Sequence, residues 1–147
     1  MTPTVPTAKP KPPATIHVHW LGEERFDAGR PNGPAIRLDG SAKTAQSPVD
    51  ALLSALGTCT SIDVVEILAK RRTPVASLQV EIVGERVTTV PHRFSRIRLI
   101  YHVAGAGIEK EHAERAIELA VNKYCSVRDS LAREIAVEWE LDLEGTE

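Results

Sequence analysis

The chain predicts an α+β fold, and three observations predict it. Alternating, β-branched segments cluster near both ends; one long apolar stretch with helix signals stands between them; and a second, amphipathic helical pattern precedes the last alternating segment. In order these read β-β-β-α-β-β-α-β. Strands that come in runs point to α+β rather than to the strict alternation that builds a doubly wound parallel sheet.

Each element has a local cause. Met1–Pro13 carries prolines at 3, 6, 10, 12 and 13 with almost no bulky apolar residue. It buries too little surface to offset its ordering entropy, so residues 1–14 are expected to be a disordered tail, with one domain over 15–147. Thr15–Leu21 (TIHVHWL) alternates and reads as a strand, Arg25–Ala28 as a second and Ala35–Leu38 as a third, with turn formers at Gly22-Glu23-Glu24 and Gly29–Pro34. Ser47–Arg72 is the clearest helix. Ser47 suits the N-cap, Pro48 the first helical position, and Asp50 the acid of a capping box; Lys70-Arg71-Arg72 complements the dipole and Thr73-Pro74 stops it. It is apolar nearly all round from Val49 to Cys59, which predicts burial on most sides, in a core or against a second subunit. Leu78–Thr88 and Arg96–Val103 alternate as the arms of a hairpin. Ile108–Tyr124 is amphipathic, with Ala113, Ala116, Ile117, Ala120 and Tyr124 on one stripe; Ser126–Ala132 suits a short helix and Ile135–Leu143 a half-buried closing strand.

Composition narrows the function classes. The 147 residues are 42% hydrophobic and 26% charged with a net charge of −2, as in a folded soluble protein with no basic excess for nucleic acid. No uninterrupted apolar run approaches the roughly 20 residues that span a bilayer, and the N-terminus lacks a signal-peptide core. Neither a nucleic-acid nor a membrane partner is expected. Two cysteines are too few for a disulfide scaffold, so a reducing, cytoplasmic setting is expected.

Thiol redox chemistry is the leading expectation, carried by Cys59 and Cys125. Each taken alone also fits a small hydrophobe in a core. A redox thiolate needs a cation or hydrogen-bond donor beside it. Helical geometry sets Asp63 and Glu66 within about 40° of Cys59 on the same face, which disfavours a thiolate. Arginine from elsewhere is then required, and Arg25, Arg30 and Arg37 are the candidates. Asp50 falls on the opposite side of that helix, where a capping role is simplest. His17 and His19 share a strand face but have no further ligand at metal spacing, so no metal site is expected.

The string SPVDALLSALGTCTSIDVVEILAKRR over Ser47–Arg72 resembles the central helix of the OsmC/Ohr family, the osmotically induced protein C and organic hydroperoxide resistance proteins. The likeness continues at VGERVTTVPHRFSRIRLIYHVAG (Val83–Gly105) and ERAIELAVNKYCSV (Glu114–Val127), and covers roughly Thr15–Leu143. The OsmC-like branch is the nearer one. The resemblance implies an intertwined homodimer around a buried central helix, with Cys59 as the peroxidatic and Cys125 as the resolving cysteine. It implies organic hydroperoxide substrates in an antioxidant stress response, an external dithiol reductant, and no flavin, haem or metal. It assigns the arginine to Arg25, with Arg30 next. The position directly after the helix-start proline, where the resemblance expects a glutamate, is Val49 here, and Asp50 follows. Two other uses of the same fold stay open: a binding module for a small apolar ligand, and a redox sensor.

Overall fold

The computed structural model describes residues 10–144. The expected tail thus lies largely outside the described residues, and its described part, 10–14, is exposed and forms neither helix nor strand. The chain falls into two compact units, one up to Pro48 and one from Val49 onward.

The first unit is an antiparallel meander of β1 (His17–Gly22), β2 (Arg25–Gly29) and β3 (Ala35–Asp39). The register places His19 opposite Asp27 and Asp27 opposite Arg37, so one sheet face carries polar side chains. Across it, Arg37 Nε donates to Asp27 Oδ1 at 2.5 Å. The meander ends in a tight loop organised by Asp39. Its Oδ1 accepts from the backbone N–H and hydroxyl of Ser41 at 2.9 and 2.7 Å, and its Oδ2 from those of Thr44 at 3.0 and 2.6 Å. Short polar side chains near an aspartate build such a loop because they satisfy backbone donors that no strand can pair.

The second unit contains α1 (Pro48–Lys70), β4 (Ser77–Arg86), β5 (Phe94–Ala104), α2 (Lys110–Leu119), a single π turn (Ala120–Tyr124), α3 (Ser126–Ser130) and β6 (Ala136–Glu144). The sheet order is β4-β5-β6, antiparallel between β4 and β5 and parallel between β5 and β6. Period-2 alternation sorts the two faces. Ile97, Leu99, Tyr101 and Val103 of β5 point into the core and are essentially inaccessible to solvent. The other face holds the exposed cross-strand pairs Arg96–Glu138, Arg98–Glu140 and His102–Asp142. Exposed pairs of this kind contribute little to stability; the apolar face holds the unit together.

α1 packs on that face through one stripe: Leu56, Gly57, Thr60, Val64 and Leu68 are buried. Burying a leucine of this kind stabilises by about 1.5–3 kcal/mol. Gly57 permits the close approach, since a Cβ there would lie 2.4 Å from Ile82 Cδ1 of β4. Within one chain α1 is fully buried along this stripe, Val49, Leu53 and Ile67 pack against the core beside it, and Leu52 37%, Ile62 53% and Val65 39% are exposed. As a 23-residue helix α1 is also long and apolar enough to cross a membrane by length and composition, although no run of uninterrupted apolar residues suggests it. Its polar residues are spaced through the helix rather than clustered, and its buried stripe makes it the core helix of this unit.

A correction concerns the end of α2. The sequence predicts one α-helical stripe running to Tyr124. Instead the Cys125 N–H bonds Ala120 O at 3.0 Å, closing an i→i+5 turn. That turn adds one residue to the helical circuit. Cys125 takes the core position that an α-helix would give Tyr124; Cys125 is 3% exposed and Tyr124 is 52% exposed.

The Asp39 loop supplies a test. The Thr44 hydroxyl, then the Ser41 hydroxyl and the backbone N–H groups, hold its carboxyl well below the usual carboxylate range. A folded-state pKa below the unfolded value stabilises above the unfolded pKa of about 4, and that contribution is lost as pH falls toward the folded value. Urea unfolding from pH 7 to pH 2 should show the wild type losing more stability than Asp39→Asn below about pH 4. Parallel curves would show that the loop is not organised by the carboxylate.

Candidate active site

The site is built in the second unit, where α1, β5 and the π turn meet. Cys59 lies on α1 one residue before the buried Thr60, and is half-buried at the margin of the core. Cys125 follows the π turn and caps α3, its Sγ accepting the Arg128 N–H at 3.2 Å. Both are free thiols. Although far apart in sequence, they lie close enough for Cys59 to act on the protonation of Cys125.

Three effects set the protonation of Cys125. Burial pushes its thiol up, the Arg128 N–H acts in the opposite direction, and the neighbouring Cys59 sulfur pushes it up again, to about 11. Removing a thiol from water disfavours its charged form, and a second negative sulfur beside it does the same. Cys125 therefore keeps its proton at neutral pH.

Behind the thiols sits a buried hydroxyl pair. Tyr101 of β5 donates its O–H to Thr60 Oγ1. The Thr60 hydroxyl lies 3.1 Å from both Leu56 O and Gly57 O, and Ser61 Oγ donates to Gly57 O at 2.6 Å. Burial pushes Tyr101 up to about 12, against the opposing effect of its hydrogen bond to Thr60. The phenol thus stays neutral and satisfied, and it ties β5 to α1 one residue from Cys59.

The remaining sequence candidates are placed as follows. Asp63 is half-buried and Glu66 exposed, both on α1 after Cys59. Asp50 is in the first turn of α1, roughly 13 Å along the helix axis from Cys59 at 1.5 Å per residue. Arg25 and Arg30 belong to the first unit. Arg25 Nε is buried and has no hydrogen-bond partner among the described residues, whereas Arg30 is exposed and Arg37 is occupied by Asp27. Among the described residues no group of three or more His, Cys, Asp or Glu could hold a metal. Tyr101, Thr60 and Arg128 were not singled out from the sequence. Thr60 adjoins Cys59, but nothing local shows that a tyrosine on a distant strand shares its hydroxyl.

The two-sheet α+β frame with a long core helix fits a known protein class, and this chain belongs to it: residues 40–140 match the family model described as OsmC-like protein. The chain is 35% identical over 121 residues to Protein YhfA of Escherichia coli K12, a match spanning 82% of this chain and 90% of YhfA. The OsmC-like protein of Mycoplasma pneumoniae has a similar structure, with a TM-score of 0.77 over 90% of this chain and 97% of that one at 16% identity. The organic hydroperoxide resistance protein OhrB of Bacillus subtilis gives a TM-score of 0.60 over 88% and 98% at 13% identity. At such identities the structural likeness shows the fold alone, while the family includes redox-related proteins.

The raised Cys125 thiol has a direct consequence. At pH 8 its thiolate fraction is about one in a thousand. Iodoacetamide treatment of the reduced, folded protein, read by peptide mapping, should leave Cys125 unmodified until urea unfolds the chain. Rapid alkylation of folded Cys125 at pH 8 would show that the thiol is neither buried nor charge-coupled as described.

Proposed function

We propose that this protein is a thiol-dependent peroxidase that reduces organic hydroperoxides through Cys59 and Cys125. The observation that carries the proposal is the proximity of two free thiols, a half-buried Cys59 and a buried Cys125 whose protonation Cys59 affects. A peroxidatic cysteine and its resolving partner must meet without large rearrangement, and neighbouring thiols meet that requirement.

The chemistry balances on this chain's own groups. The Cys59 thiolate attacks the distal peroxide oxygen and the O–O bond breaks. The departing alkoxide takes the proton that Cys125 holds, leaving as an alcohol. Cys59 is then a sulfenic acid and Cys125 a thiolate. Cys125 attacks the Cys59 sulfur, expels hydroxide and closes the disulfide. An external dithiol returns two electrons and restores both thiols. No flavin, haem or metal enters the cycle. Family resemblance assigns the cation that favours the Cys59 thiolate to Arg25, ahead of Arg30, and leaves Asp50, Asp63 and Glu66 as the acids to be compared.

The protein is further proposed to act in the cytoplasm as a homodimer. The exposed apolar side chains Leu52, Ile62 and Val65 of α1 support this, because a second copy would remove them from water.

Stopped-flow oxidation of the reduced protein by cumene hydroperoxide and by hydrogen peroxide tests the reading. Faster oxidation by the organic peroxide is expected. Cys59→Ser should abolish turnover, a loss of at least about a thousandfold given that the thiolate is the only nucleophile invoked. Arg25→Gln should slow the first step without preventing disulfide closure. Oxidation no faster than that of a free thiol would instead favour a non-catalytic module that binds a small apolar ligand.

A further inference from the structure

Within the first unit, a cavity of about 390 Å³ lies where the polar face of the meander meets the loop after β2. His17, His19, Asp27, Gly29, Arg30 and Asn32 line it. Alternation along β1 puts the two histidines on one sheet face, with ring centroids 6.1 Å apart and ring planes at 88°. The register sets Gly29 opposite His17 and Asp27 opposite His19. A Cβ at Gly29 would lie 2.4 Å from Pro34 O, so the glycine lets the chain fold back tightly after β2. There Arg30-Pro31-Asn32-Gly33 forms a β-turn, closed by the Gly33 N–H on Arg30 O at 3.0 Å, with Asn32 at a φ of 60°. Proline second and a positive φ third are the marks of a type II turn. A turn fixed in this way holds Arg30 at the rim of the space that the two imidazoles face. Nothing in the peroxidase cycle described above uses these groups.

We propose that this cavity binds a phosphate group, carried on a small phosphate monoester or free as the inorganic ion. The donors suit that ligand. Arg30 offers the paired N–H groups of a guanidinium, which match phosphate oxygens two at a time. The Asn32 amide adds N–H donors. Each neutral imidazole donates through one ring N–H and a protonated one through both, so His17 and His19 serve in either state. Charge points the same way. Asp27 is the one carboxylate among the described lining residues, and Arg37 occupies both its oxygens, Nε on Oδ1 at 2.5 Å and Nη2 on Oδ2 at 3.3 Å. The Arg30 charge is then left over, and a concave surface with excess positive charge concentrates anions near it. The same arrangement disfavours a metal ion, because Asp27 is committed to Arg37 and Arg30 would repel a cation.

Size allows for more than the bare ion. The cavity falls within the roughly 300–1,000 Å³ of small-molecule pockets, which leaves room for an ester group beside Pro31 and Ala35. Binding is non-covalent, involves neither thiol, and uses residues of the first unit alone. The proposal is therefore independent of the peroxidase reading.

The test is a titration of the reduced, full-length chain, labelled with nitrogen-15, at constant pH and ionic strength. Glycerol 3-phosphate, inorganic phosphate and neutral glycerol are added in separate series, and the imidazole ring signals are followed by NMR. The chain has five histidines, so His92, His102 and His112 serve as internal controls. Saturable shifts are expected at His17 and His19 alone, from the phosphates and not from glycerol. Tighter binding of glycerol 3-phosphate than of inorganic phosphate identifies a monoester as the ligand; equal or weaker binding identifies the free ion. Arg30→Gln, at an exposed position whose replacement leaves the fold intact, should weaken binding about tenfold or more, and Arg30→Lys by less. No saturable shift with either phosphate, equal shifts at all five histidines, or undiminished binding in Arg30→Gln would each overturn the proposal.

Discussion

The seating of α1 on the inner face of the β4-β5-β6 sheet is the constraint on which the rest of the second unit depends. Leu56, Val64 and Leu68 are fully buried in that contact, and Gly57 lets the helix lie close to Ile82 of β4. The Tyr101–Thr60 hydrogen bond then fixes the helix against β5. An apolar stripe alone can tolerate sliding; a buried hydroxyl pair cannot, because displacement would leave two polar groups unsatisfied away from water. Cys59 is the residue next to Thr60, about three helical turns from either end of α1, so its position is set by helix packing rather than by a loop.

Cys125 reaches the same place by a different device. The π turn after α2 moves the chain one residue out of α-helical step, which brings the cysteine inward and turns Tyr124 out. The Arg128 N–H then meets the sulfur. Burial and the neighbouring sulfur together keep the proton on Cys125. The two thiols are thus unequal in surroundings while adjacent in space, and that asymmetry is what divides the proposed roles between attacker and resolver.

Much of this frame is legible in the sequence. Alternation locates the strands, and Ser47-Pro48 with Lys70 and Thr73-Pro74 brackets α1, because those signals are local. The inward set Ile97, Leu99, Tyr101 and Val103 follows from period 2. What is not legible is whatever depends on non-local partners. The turn at Ala120–Tyr124 departs from α-helical spacing without a glycine or proline to mark it. The exposure of Leu52, Ile62 and Val65 cannot be read from a helix that is apolar all round, since the pattern does not say which side meets the sheet. The closeness of the two thiols and the Tyr101 partner arise from residues that only the fold brings together. The two strings around the cysteines single out both thiols; their surroundings are set by the fold.

Mass spectrometry of the protein after one equivalent of cumene hydroperoxide, without added reductant, tests the central claim most directly. The account predicts a chain lighter by two hydrogens, with Cys59 and Cys125 joined in one peptide pair within a single chain. Accumulation of sulfinic or sulfonic acid on Cys59 with Cys125 still a free thiol, or a disulfide joining two copies, would contradict it.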